Sequence, residues 1–161
     1  MNMKPNIKWK PLLLALALPL AVGGFSAFLT RDGMKAFAAL KQPPLSPPAW
    51  LFPVVWTLLY LSMGQASYLV WVSGVSDKRR DRALTVYGLS LAANFLWPIL
   101  FFTVQAWGAA FVLLLLLWVL VGIAALLFGA IVPRAGKLLL PYLAWLTFAA
   151  YLNLGVWLLN R

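Results

Sequence analysis

The side chains that carry most enzyme chemistry are missing from this 161-residue chain. It has no cysteine, no histidine and no glutamate, and its three carboxylates are Asp32, Asp77 and Asp81. All three fall in predicted loops, so no metal cluster can be assembled among the apolar segments. Haem would lack its commonest axial ligands, leaving only Met or Tyr. No Ser–His–Asp or Cys–His set exists, and no carboxylate pair is available for acid–base work. A proton-coupled carrier needs an ionisable group inside the membrane, and no apolar segment has one. What remains is indole, phenol and amide, with nine Trp and five Tyr. Such side chains hold a flat, apolar, aromatic-rich ligand by stacking and a few hydrogen bonds.

Their spacing is helical. At 100° per residue, Tyr142, Trp145, Ala149, Asn153, Val156 and Asn160 fall within roughly 80° of one another. Tyr87, Ser90, Asn94, Trp97 and Phe101 form a second stripe. Phe52, Trp56, Tyr60 and Gly64 recur every fourth residue on a third segment. An Asn in hydrocarbon must find partners, so Asn94 and Asn153 are expected to face inward. The competing reading is interhelical packing, in which buried Asn and Trp pair with neighbouring helices and bind nothing.

These stripes need membrane helices to carry them. The chain is 64% hydrophobic and only 10% charged, with a mean hydropathy of +0.91, against roughly 25% charged in a soluble domain. Its apolar runs reach the roughly 20 residues that cross a bilayer. The expected fold is an all-α membrane protein, one domain of five transmembrane helices at about 11–29, 50–72, 83–104, 106–132 and 138–159, with a Pro-rich first loop. A short interfacial helix is expected over 33–40, a basic loop over 73–82 and a break at 133–137. Only 105–108 can turn between the third and fourth spans, making them antiparallel neighbours. A cleaved signal peptide would begin like residues 1–29, but the apolar run is long and reads as a retained span.

The net charge is +10. Nine of the thirteen Lys and Arg fall in the N-terminal tail, including Lys4, and in the second and fourth loops. The positive-inside rule places that side, with the N-terminus, in the cytoplasm and the C-terminus outside. Basic loops then serve topology and anionic headgroups, and nucleic acid is not an expected partner.

The stretch 40–60 (LKQPPLSPPAWLFPVVWTLLY) stiffens one edge of the stripes. Pro43, Pro44, Pro47 and Pro48 forbid helix and enforce an extended approach, so helix begins near Ala49, with Pro53 in its first turn. The result is a rigid lip beside Phe52, Trp56 and Tyr60. Trp9, Trp50, Trp71, Trp107 and Trp157 lie near span ends, where Trp anchors at the interface. Gly23, Gly24 and Ala27 on the first span, and Gly88 with Ala92 on the third, are small-residue patches for close helix packing. The second pair could serve this chain or a second copy.

Residues 40–60, the NFLWP block at 94–98 with Phe101 and Phe102, and PYLAWLTFA at 141–149 with Leu152 and Asn153 resemble the tryptophan-rich sensory protein/translocator protein family, also called peripheral benzodiazepine receptors. The resemblance covers nearly the whole chain in order. It implies a five-helix bundle, usually dimeric, that binds porphyrins such as protoporphyrin IX without requiring a cofactor. It implies a pocket at the Pro-rich loop including Trp50, Phe52, Trp56, Tyr60, Asn94, Trp145, Ala149 and Asn153. Trp97 and Tyr142 join these candidates from the stripes. Members have been described as tetrapyrrole sensors, transporters or scavengers, and some promote light-dependent porphyrin breakdown, for which Trp56 and Trp145 match the two implicated tryptophans.

Two departures stand out. Ser90 replaces a Gln that many members carry four residues before Asn94. The C-terminal cholesterol pattern is absent, since Tyr151 has no basic residue after it until Arg161, so sterol is not the expected ligand. Three functions are weighed: a tetrapyrrole-binding membrane protein, a light-dependent porphyrin-degrading enzyme, and a structural membrane protein with an unused pocket.

Overall fold

The computed structural model describes residues 7–161; Lys4 of the basic tail lies outside them. The order is α1 (Trp9–Phe37), α2 (Leu51–Trp71), α3 (Asp77–Pro98), a π-helical turn (Ile99–Thr103), α4 (Trp107–Ile131), α5 (Pro133–Leu138) and α6 (Leu140–Asn160). No strand occurs among the described residues. Hydrocarbon leaves backbone groups no water to bond, so each apolar run closes its hydrogen bonds within itself as helix.

Four continuous helical stretches are long and apolar enough to cross a membrane: Trp9–Phe37, Asp77–Thr103, Trp107–Ile131 and Pro133–Asn160. The chain is an all-α membrane protein. The 21-residue α2 is not among the four; Trp56, Tyr60, Ser62, Gln65, Ser67 and Tyr68 dilute its apolar character.

Three boundaries differ from expectation. α1 does not end near Leu29 and give way to a separate interfacial helix; it runs on to Phe37. Phe37 there packs against Phe101 and Phe102, with centroids 5.6 and 5.4 Å away, and Gly33 lets the Phe102 carbonyl approach. The basic loop is helical from Asp77. Asp77 suits the positive end of the helix dipole and pairs with Arg80 at 2.7 Å. The break expected at 133–137 falls at Val132, which is extended, and 133–137 is itself helical: Pro133 begins the short α5, because its fixed φ and missing N–H are no handicap in a first turn. Pro98 acts differently. The ladder slips beyond it, so that Val104 N–H reaches the Ile99 carbonyl at 2.9 Å, which is the π turn.

Close packing occurs where side chains are absent. A Cβ on Gly64 would lie 2.6 Å from the Ala15 carbonyl oxygen, and one on Gly23 would overlap the Tyr60 ring, so α1 and α2 meet there. Gly24, from the same expected patch, faces open space. α3 packs on α4, and α4 on α5 and α6. The core between them holds Met63, Leu114, Leu117, Val121, Phe128 and Leu146. α2 and α6, in contrast, are not among the pairs whose backbones pack closely.

Gly88 is not closely packed: a Cβ there would meet no atom of the described residues within 4 Å. With Ala92 it lines an open groove of about 480 Å³ against Leu18 and Val22 of α1.

Candidate functional site

The gap between the α2 and α6 backbones is bridged by rings. Trp56 stacks on Tyr60 with centroids 5.5 Å apart. Its edge meets Tyr142 at 6.1 Å and Trp145 at 6.5 Å. Phe52, one turn earlier on α2, meets the Trp145 ring edge-on at 6.0 Å. The slot expected between these helices is therefore occupied by the aromatic side chains themselves. Edge-to-face contacts of this kind are worth about 0.5–1.5 kcal/mol each beyond burial, weak enough for a planar guest to replace.

A polar thread runs under the rings. The Tyr60 hydroxyl donates to Asn94 Oδ1 at 3.0 Å, and Asn94 Nδ2 donates to the Tyr142 hydroxyl oxygen. Asn94 and Tyr142 are buried. One amide on α3 thus ties together the two helices whose backbones stay apart.

Trp145 stands outside this network, as do two other buried groups, Tyr87 Oη and Trp107 Nε1, that also have no hydrogen-bond partner. The Trp145 indole Nε1 is buried and has no hydrogen-bond partner. Buried tryptophan N–H groups normally find one, and this one belongs to the ring that Phe52 and Trp56 face.

The remaining candidates separate. Trp97 Nε1 donates to Asn153 Oδ1 at 3.0 Å, and Asn153 Nδ2 donates to the Trp107 carbonyl at 2.9 Å. These groups join α3, α4 and α6, and their hydrogen bonds are used within the protein, as the packing alternative requires. Trp97 also stacks on Phe101 at 5.0 Å. Ala149 is buried in the main core. Trp50 is 67% exposed and stands outside the aromatic cluster. It precedes the first helical residue, Leu51, so the turn of α2 that aims Phe52 and Trp56 inward does not orient it.

The lip is fastened to the end of α6, by contacts that the stripes alone did not reveal. Asn160 accepts from the Lys41 N–H at 3.0 Å and donates to the Lys41 carbonyl at 2.8 Å. The Tyr151 hydroxyl donates to the Pro44 carbonyl at 2.8 Å. Gly155 makes room for Pro43, whose Cβ would lie 2.5 Å from an added methyl. The signal in the sequence was Asn160 on the α6 stripe, one turn beyond Val156.

A model of the TspO/MBR family matches residues 15–158. The translocator protein of Ovis aries is 38% identical over 156 residues, covering 95% of this chain and 92% of that protein. The translocator protein of Homo sapiens is 38% identical over 154 residues, 92% of this chain and 89% of its own length. The tryptophan-rich protein TspO of Chlorobaculum tepidum is 35% identical over 150 residues, covering 92% and 95%. A family match over that span, with relatives above 30% identical along nearly their whole length, shows that the chain belongs to the TspO/MBR family.

Proposed function

We propose that this protein is an integral membrane receptor for a tetrapyrrole such as protoporphyrin IX, acting in porphyrin sensing, transport or scavenging. In this reading all five long helices cross the bilayer as one domain, α2 included, with the N-terminus cytoplasmic and the C-terminus outside. The tetrapyrrole enters under the Pro-rich lip, and its ring inserts between α2 and α6. Trp56, Tyr60 and Phe52 give it aromatic faces, Asn94 and Tyr142 border its inner edge, and Trp145 Nε1 donates to it. The single observation that carries the reading is the buried, unpartnered Trp145 N–H within a ring cluster that spans two separated helices. No cofactor is needed for binding of this kind.

The test is a titration of detergent-purified protein with protoporphyrin IX, followed by tryptophan quenching. A Trp56→Ala/Trp145→Ala double variant should lose at least tenfold in affinity, about 1.4 kcal/mol. Unchanged affinity would remove this site from consideration.

The Trp145 indole, with its Nε1 unpartnered and its ring against Phe52 and Trp56, favours a second reading, light-dependent breakdown of the bound porphyrin. Loss of the porphyrin absorption band under illumination, absent in darkness and in Trp145→Phe, would establish it. Equal bleaching in all three would dismiss it. A homodimer completes the proposal: the open groove at Gly88 and Ala92 has the small-residue surface that lets a second copy approach closely.

A further inference from the structure

A second, larger groove of about 690 Å³ shares no residue with the aromatic cluster. It runs between α4 and the α5–α6 pair, and its walls are Val119, Ile123, Leu126, Leu140 and Leu143. Both of its ends are built. At one end α5 crosses α4 in backbone contact, since a Cβ on Gly136 would lie 2.7 Å from both the Ala125 carbonyl and Gly129 Cα. At the other, Trp118 Nε1 donates to Thr147 Oγ1 at 2.9 Å, laying the indole across the groove. Gly122 leaves the floor between them open, with no atom within 4 Å of an added Cβ.

The dimensions match one leaflet. Trp118 to Gly129 is eleven residues of helix, roughly 16 Å at 1.5 Å per residue, and half of a hydrocarbon core is roughly 15 Å. Trp118 thus sits near mid-depth, away from the interfaces where Trp usually anchors, as a stop for something lying in the groove.

Charge gathers only at the Gly136 end. Lys137 lines the mouth, and Arg134 lies one helical turn before it on α5. Arg79 reaches the same corner, donating to the Ala130 carbonyl at 3.3 Å. The side-chain carboxylates pair with other cations: Asp32 with Arg31 and Lys35, and Asp77 and Asp81, which flank Arg79 on α3, with Arg80. Among the described residues, Lys137, Arg134 and Arg79 therefore meet the headgroup layer without an ion-pair partner.

We propose that this groove binds one anionic phospholipid of the leaflet on the basic side. An acyl chain lies over Gly122 toward Trp118, and the phosphate is held by Lys137, Arg134 and Arg79. The site is independent of tetrapyrrole binding.

The experiment is thermal unfolding of delipidated full-length protein in detergent, with added phosphatidylglycerol, phosphatidylcholine or inorganic phosphate. Phosphatidylglycerol should raise Tm by about 2–4 °C, as expected for a ligand that binds only the folded state. Phosphatidylcholine should give less than half that shift, and inorganic phosphate none. Gly122→Phe fills the groove and should abolish the phosphatidylglycerol shift while protoporphyrin affinity stays at the wild-type value. Lys137→Gln/Arg134→Gln, altering exposed side chains only, should at least halve the difference between the two lipids. Equal shifts from both lipids in the wild type, or a full phosphatidylglycerol shift in either variant, overturns the proposal.

Discussion

The Asn94 amide stands between two phenols, accepting from Tyr60 at 3.0 Å and donating to Tyr142. Three helices meet there through side chains alone, and the thread holds α2 and α6 at the separation that their aromatic rings fill. Replacing Asn94 with Leu would leave both hydroxyls buried without this partner. Polar pairs in membranes average about 0.6 kcal/mol and reach about 1.7, so the expected loss is about 1–2 kcal/mol. It is read as a lowered Tm in detergent, and an unchanged Tm would mean that the thread contributes nothing.

Gly23 and Gly64 should separate affinity from stability. A methyl on Gly64 meets backbone at 2.6 Å, whereas one on Gly23 meets the far edge of the Tyr60 ring. A ring can turn and a backbone cannot, so Gly64→Ala should lower Tm clearly more than Gly23→Ala. Turning Tyr60 breaks its bond to Asn94, so Gly23→Ala should weaken protoporphyrin binding several-fold. Gly24→Ala, facing open space, should leave affinity unchanged and serves as the control.

The lip fastening predicts a kinetic effect. Asn160→Ala removes both bonds to Lys41, and Tyr151→Phe removes the bond to Pro44. Stopped-flow mixing with protoporphyrin IX should show faster association in the double variant, by about threefold or more if lip opening limits entry. An unaltered rate would place entry elsewhere.

Gly88 offers a direct test of self-association. An added Cβ there meets no atom within 4 Å and the groove beyond it is open, so Gly88→Trp is expected to fold. If a second copy occupies the groove, its dimer fraction by light scattering in detergent falls below that of the wild type. A wild-type dimer fraction would move the interface off this face.

Much of the arrangement was legible in the order of residues. Tyr142, Trp145 and Asn153 share a stripe because helical periodicity forces them to, and burial of Asn94 and Asn153 follows from the need to satisfy amides in hydrocarbon. How the stripes engage was not legible. Relative rotation and depth of the helices are set by contacts such as Gly64 on Ala15 and Gly136 on Gly129, which involve no side chain that a pattern could reveal. For that reason nothing in the spacing distinguished Trp145, whose N–H is unpartnered, from Trp97, whose N–H is held by Asn153. The extension of α1 was hidden by Arg31, Asp32 and Lys35, which look like a loop, while the phenylalanine contacts that keep it helical come from residues over sixty positions away.

The π turn at Ile99–Thr103 carries one surplus residue relative to an α-helix. Excising any one of those five positions would let the segment rewind and would swing everything downstream by roughly 100° about its axis. The Trp107 carbonyl, which receives the Asn153 amide, would then be presented to the wrong neighbour. Spacing, not side-chain identity, is what that pentapeptide contributes, and conservative substitutions within it should be tolerated where a single deletion is not.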